Sequence, residues 1–328
     1  MNALTSHLTT RCVGRYLIDV PAEVASFGTT QVSGVDIEAK AMSLDDYHKA
    51  MKARSDELRA TKSFFGYRFL YADTVIEGIP ESRYFLSLGN ANAMTDAERL
   101  VEMYRWDRGY QIKMRIAASN AKDSVYFKNK PRVKDDPDMT NVSAKAQLVV
   151  SLLSRARGRT DDEIPNEPGA CFQGGFLVGP QWDSEKIEAY FVLPAHRDVS
   201  FSLETNTDVH DDTTLLQRGK EINAALTHDP NGKAIRNGHV ALTGMIAEEW
   251  LMQKTTVFKI PGFLFSMEAN SLPNNDQKPV VMLDMRVGAP SALTDDSATI
   301  DKASLIEGEA VGLWDAVSRT LRPRPNAF

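Results

Sequence analysis

Cysteine opens two similar stretches of this chain, and that repetition constrains the fold more than any other feature. The first stretch begins Cys12-Val13-Gly14-Arg15-Tyr16-Leu17-Ile18-Asp19-Val20-Pro21, the second Cys171-Phe172-Gln173-Gly174-Gly175-Phe176-Leu177-Val178-Gly179-Pro180. Both carry glycine early, run apolar and stop at a proline, as short strands do. An alternating segment follows in each: Val35-Asp36-Ile37-Glu38-Ala39-Lys40-Ala41 and Val199-Ser200-Phe201-Ser202-Leu203-Glu204. Period-two alternation predicts strands with one buried face.

A helix is predicted next in each stretch. Ser43 caps the first, which runs to about Arg59, with Asp45 and Asp46 where carboxylates meet the positive end of the helix dipole. The second is predicted over about residues 212–226, with Leu215, Leu216, Ile222 and Leu226 as its apolar stripe. Antiparallel strands follow at 66–71, 82–88, 101–106 and 110–116 in the first stretch, and at 255–260 and 263–268 in the second. The turn Asp107-Arg108-Gly109 and the turn Pro261-Gly262 are taken as equivalents, because glycine supplies positive φ without steric penalty. Closing helices are expected at about 143–157 and 304–321, the latter from Ser304 and Glu307 at capping-box spacing.

The ordered set predicts an internal duplication and an α+β fold: two similar domains, each an antiparallel sheet with helices packed on it, spanning 1–165 and 166–328. The acidic, proline-bearing stretch 160–169 reads as a solvated linker, and 128–140 as a long loop before the first closing helix. One continuous sheet built by both halves is the competing architecture.

A length of 328 residues suits two domains of ordinary size. The net charge of −6 argues against a nucleic-acid partner and permits attraction to a basic protein. No run reaches the roughly 18 to 20 apolar residues of a membrane span, so no stable membrane insertion is expected. Residues 1–7 hold no apolar signal core, which leaves a cytoplasmic chain or one that begins after a removed export segment. Cys12 and Cys171 are too few for a disulfide scaffold. Two buried free thiols are the plain expectation; a single inter-domain disulfide is the alternative and would need an oxidising compartment.

Searches for chemistry return little. The six histidines show no His-x3-His or His-Glu-x-x-His spacing, and His210 beside Asp211 and Asp212 reads as a solvated loop rather than a metal site. There is no Gly-x-Ser-x-Gly string and no phosphate loop. Glu248 and Glu249 point to opposite faces of a strand, so a shared acid–base site gives way to a surface role. Of Tyr104, Trp106, Tyr110, Trp182, Trp250 and Trp314, most read as core, and an exposed minority at strand ends or in loops as partner hot spots. No catalytic, cofactor or metal residue is predicted, and no cofactor.

The motifs do resemble a family. The opening at Cys12 to Pro21 and the second opening at Cys171 to Phe176 are similar to the domain starts of type VI secretion immunity proteins that neutralise a phospholipase (lipase) effector of the fourth lipase-effector class. Pro279-Val280-Val281-Met282-Leu283-Asp284-Met285, Glu307-Gly308-Glu309 with Leu313-Trp314-Asp315, and Leu321-Arg322-Pro323-Arg324-Pro325 extend the likeness over nearly the whole chain, in order. The resemblance implies a two-domain claw on an α/β-hydrolase lipase, one to one. It implies inhibition by blocking the catalytic pocket or preventing lid opening, and a periplasmic site of action.

Candidate partner-binding residues are the acidic loops Asp135, Asp136 and Asp138, Asp211 and Asp212, and Asp295 and Asp296, together with Trp182; each acidic run also fits a plain solvated loop. Two competitors stand beside the inhibitor: a hydrolase with an unrecognised site between the halves, and an adaptor that carries an effector without inhibiting it.

Overall fold

The computed structural model describes residues 2–209, 212–271, 279–294 and 299–328. The first half runs α1 (Asn2–Thr5), β1 (Leu8–Val13), β2 (Tyr16–Pro21), β3 (Ala25–Val32), β4 (Val35–Ala41), α2 (Leu44–Ala60), β5 (Leu70–Thr74), β6 (Ser82–Leu88), β7 (Glu98–Asp107), β8 (Tyr110–Ser119), the short α3 (Pro131–Lys134), α4 (Val142–Arg155) and β9 (Ala156–Gly158). The second runs β10 (Gly169–Phe172), β11 (Gly175–Val178), β12 (Glu185–Leu193), β13 (His196–Asn206), α5 (Gly219–His228), β14 (Lys233–Leu242), β15 (Met245–Thr255), β16 (Pro261–Ala269), β17 (Val280–Val287), α6 (Glu307–Ser318) and β18 (Arg322–Pro323). The protein is mostly antiparallel sheet with few helices.

With α1, α3, β9 and β18 set aside, both halves have one order: four strands, a helix, four strands, a helix. The lateral order repeats as well. Strands β4-β8-β7-β6-β5 of the first half match β13-β17-β16-β15-β14 of the second, every neighbouring pair antiparallel.

That order corrects one equivalence. The turn at 256–260 joins β15 to β16, so its counterpart is the β6–β7 connection and not the Arg108-Gly109 turn between β7 and β8. Pro261 and Gly262 belong to β16. Gly262 is small because a Cβ there would meet the Val287 carbonyl oxygen at 2.4 Å, so packing rather than turn geometry demands it. The Arg108-Gly109 turn is as expected: both residues have positive φ, 51° and 85°, as a two-residue hairpin of right-handed twist requires.

Three boundaries move for local reasons. Strand β5 begins at Leu70, because Gly66 turns at φ 77° and its N–H bonds the Ser63 carbonyl. Helix α5 begins at Gly219, because Thr214 and Gln217 close a separate turn through their side chains. Helix α6 begins at Glu307, since the Ser304 N–H is already taken by Asp198. Its Ile306 N–H donates instead to the Glu309 carboxylate at 3.1 Å.

The chain divides into two compact units. Unit 1 comprises Met1–Ser33, Asp161–Gln173 and Gly179–Phe328; unit 2 comprises Gly34–Thr160 and Gly174–Val178. In unit 2, Tyr47, Met51 and Leu58 of α2 pack on Phe85 of β6 and Tyr104 of β7, with the two rings edge to face at 5.9 Å. In unit 1, β3 pairs with β12, and β18 at the end of the chain pairs with β2 near its start.

Unit 1 holds the cysteines, and they are bonded. Cys12 of β1 and Cys171 of β10 form a disulfide, so the expectation of two free thiols is wrong and the bond lies within one compact unit. Gly14 shows why these segments meet. Its backbone exchanges both hydrogen bonds with Cys171 at 2.8 Å, and a Cβ on it would stand 2.4 Å from Thr205 Oγ1. The expected solvated linker is also gripped. Buried Arg324 donates to the carbonyls of Pro165, Glu167 (3.0 Å) and Gly169 (2.6 Å).

Candidate partner-binding site

Most charged clusters of the described residues are structural. Arg15 and Glu185, each 1% exposed, make a two-pronged pair at 3.1 and 2.9 Å. Arg15 also donates to the carbonyls of Gly179 and Ala327. Glu249 corrects the surface role expected for it. It is buried and accepts from Trp314 Nε1 at 3.0 Å, from Arg319 at 2.9 and 3.1 Å and from Arg236 at 2.8 Å, tying β14 and β15 to α6. Glu248 faces away and accepts from the Leu216 N–H.

Burial pushes the Glu249 carboxyl up, but the Arg319 and Trp314 hydrogen bonds and the two guanidinium charges outweigh it, so its pKa lies below the ordinary value. A carboxylate with a depressed folded pKa contributes stability that is complete above the unfolded value, about 4.3, and is lost as pH falls through the folded one. Below about pH 4.3 the wild type should therefore lose unfolding free energy more steeply than Glu249→Gln, with the two slopes alike near pH 7. Parallel slopes in urea titrations from pH 7 to 3 would remove this role.

The acidic candidates scatter. Asp135, Asp136 and Asp138 are exposed in unit 2, and the Asp136 carboxylate is used locally, accepting from the Asp138 N–H at 2.9 Å at the start of a 3₁₀ turn. Asp212 is exposed in unit 1. Trp182 is half-buried, and its N–H meets Glu185 at 3.4 Å. Asp211, Asp295 and Asp296, and His210, lie outside the described residues.

Sequence reasoning missed a second group. Three connections leave one end of the unit 2 sheet, because Leu70 pairs with Ser87, Leu88 with Arg99 and Glu98 with Ser119. They are residues 61–69, 89–97 and 120–130. Phe64 (79% exposed), Phe65, Met94 (74%), Val125 and Tyr126 stand out into solvent there. The loops are fastened to one another. The Phe64 N–H donates to the Ala91 carbonyl at 2.8 Å, and Tyr67 Oη to the Met94 carbonyl at 3.4 Å. Buried Asp96 receives the Val125 N–H at 2.7 Å, the Tyr126 N–H at 3.1 Å and the Ser124 hydroxyl. Loop aromatics carry no periodicity, so pattern reading passed over them; only the Phe64-Phe65 and Tyr126-Phe127 doublets in polar surroundings could have marked them.

Among the described residues no group of His, Cys, Asp and Glu is placed to hold a metal. A cleft in unit 2 holds His48, bonded to Glu81 at 2.7 Å, and Ser55, whose hydroxyl donates to Asp73 at 2.6 Å. Nucleophilic catalysis needs the serine hydrogen-bonded to the base, and here each is committed to a carboxylate instead.

Buried ion networks stiffen the sheets, and five of the exposed large apolar side chains gather on fastened loops, the kind of surface a binding protein presents. Family models described as Tle cognate immunity protein 4 N-terminal domain and C-terminal domain match residues 9–159 and 163–326, and the chain belongs to that family. Its members are immunity proteins, not enzymes. Comparison with curated proteins gives no match. Among solved structures, a chain of the Tle4-Tli4 complex is 18% identical with a TM-score of 0.74, covering 98% of this chain and 99% of that one. The apo immunity protein TplEi of T6SS from Pseudomonas aeruginosa is 19% identical with a TM-score of 0.73, covering 98% of both chains. The same protein complexed with "L" peptide is 18% identical with a TM-score of 0.69, covering 98% and 99%. At these identities the likeness establishes the fold.

Proposed function

We propose that the chain binds a cognate type VI secretion lipase effector one to one and inhibits it by obstructing active-site access or lid opening. The observation that carries this is the pair of family matches across both halves, supported by the shared fold over nearly the full length of a chain from a Tle4-Tli4 complex. A partner that fixes the closed form of an enzyme shifts its opening equilibrium by its differential affinity for that form.

The test is a phospholipase assay on the effector encoded beside this chain, titrated with the purified protein. Activity should fall linearly and vanish near one equivalent. Unchanged activity in a complex that still forms would make the protein an adaptor; no complex and no inhibition would sink the proposal.

We place the action in the periplasm. A buried disulfide in unit 1 supports an oxidising compartment, where such bonds persist. No helix of the described residues is long and apolar enough to cross a membrane. We also read the repeats as α+β domains divided near residue 165, helices covering a sheet face in each, as α2 does on β6 and β7 and as α6 does where Trp314 meets Phe265 at 6.0 Å. The first repeat then lends its leading strands to unit 1. Asp135, Asp136, Asp138, Asp212 and Trp182 stay in the proposal as outer contacts that steer association.

A further inference from the structure

We infer that the fastened loops of unit 2 form the docking surface for the effector. Phe64, Phe65, Met94, Val125 and Tyr126 supply an apolar centre, and Lys62, Lys122, Lys128 and Lys130 a basic rim. The inference rests on the immunity reading and adds to it the surface and the chemistry of the partner, an apolar ridge flanked by carboxylates.

Four observations carry it. The first is exposure: five large apolar side chains share one end of one sheet, where scattered single ones would need no explanation. The second is pre-organisation. Asp96 pins 124–126 from below, Arg99 stacks on Tyr71 at 3.6 Å while donating to the carbonyls of Asp96 and Glu98, and Phe65 meets Phe64 and Tyr67 at ring distances of 5.1 and 6.2 Å. Loops already held in shape lose little freedom on binding, which favours affinity. The third is the duplication, which supplies an internal control. The connections before β14 and between β15 and β16, residues 229–232 and 256–260, are the counterparts of 61–69 and 89–97, yet they are shorter and expose only Val257 among large apolar residues. The fold does not need the longer forms of these two loops. The fourth is charge. The three loops hold Lys62, Arg68, Lys122, Lys128 and Lys130 against Asp96 and Asp123, in a chain of net charge −6, with Asp135, Asp136 and Asp138 following beyond them; Lys130 lies over the Tyr126 ring at 5.3 Å.

The basic rim decides the occupant. A second copy meeting this face with the same face would bring together two patches of like net charge, since a two-fold interface joins identical patches. An anionic lipid surface would attract the same lysines, but the family matches favour a protein partner. An acidic-rimmed protein surface satisfies both the apolar centre and the charge.

Binding of the effector encoded beside the chain is measured with the full chain and its variants. Phe65→Ala with Tyr126→Ala should raise Kd roughly 30-fold or more, the loss of two aromatic anchors. Lys128→Glu with Lys130→Glu should slow association roughly tenfold at low salt, with the difference shrinking as salt rises. All four side chains are exposed, so both variants should unfold at the wild-type midpoint. Unchanged Kd and association rate in both, with the wild type still inhibiting, overturn the surface and leave the immunity reading in place. A wild type that neither binds nor inhibits removes that reading and the surface with it. Binding to phosphatidylglycerol vesicles, or self-association in sedimentation, that the aromatic variant abolishes while effector binding survives would assign the patch to lipid or to a second copy and overturn the proposal.

Discussion

Replacing Cys12 and Cys171 together by alanine should lower the unfolding free energy of unit 1 by about 4–5 kcal/mol. The bond joins residues 159 apart in sequence, so in the reduced unfolded chain a very long loop regains its freedom. Loop-closure entropy grows only slowly with length, which puts this bond near the upper end of what one disulfide contributes. Alanine is the right replacement because both positions are buried and a serine hydroxyl would add its own desolvation penalty. Urea titrations of wild type and variant, each with and without dithiothreitol, separate the effects. Reductant should move the wild type to the variant's midpoint and leave the variant where it is. A wild type indifferent to reductant would show that the bond carries no stability, and the argument for an oxidising compartment would lose its support.

Glu185→Ala should destabilise unit 1 by about 3–5 kcal/mol, the range for leaving one partner of a buried ion pair uncompensated. Arg15 would keep its carbonyl partners at Gly179 and Ala327 but lose the only carboxylate its guanidinium is bonded to among the described contacts. The double change Arg15→Met with Glu185→Leu should recover much of that loss, because apolar side chains of similar volume avoid the desolvation of both ions. Equal instability of the single and double variants would mean that the carbonyl contacts of Arg15, not its charge pairing, hold the segment. Thermal unfolding followed by near-ultraviolet circular dichroism weights unit 1, which holds Trp182, Trp250 and Trp314 against Trp106 in unit 2.

How much of this was legible beforehand follows from which interactions are local. The Ser43 cap, the alternating β4 and β13 and the Arg108-Gly109 turn are set by residues within a few positions of each other, and they stand where period and turn chemistry put them. The duplication was legible for the same reason, since each half repeats its local signals. Misplaced features depend on distant partners. Ser304 has the spacing of a cap but spends its N–H on Asp198, and the stretch 160–169 looks solvated until Arg324 arrives from the end of the chain. Glu249 looks superficial because its neutralising arginines lie in β14 and just past α6. The exposed aromatic loops were illegible for a further reason: burial is the usual fate of Phe and Tyr, and only the fold reveals which ones are left outside.

The pairing of β2 with β18 has a consequence for how the protein is made. Tyr16 and Leu17 are translated long before their partners Pro323 and Arg322. The Arg15 carbonyl likewise waits for the Arg324 N–H. The small sheet therefore cannot be completed until residues 322–323 have left the ribosome, and a premature stop before Arg322 leaves β2 paired with β1 alone.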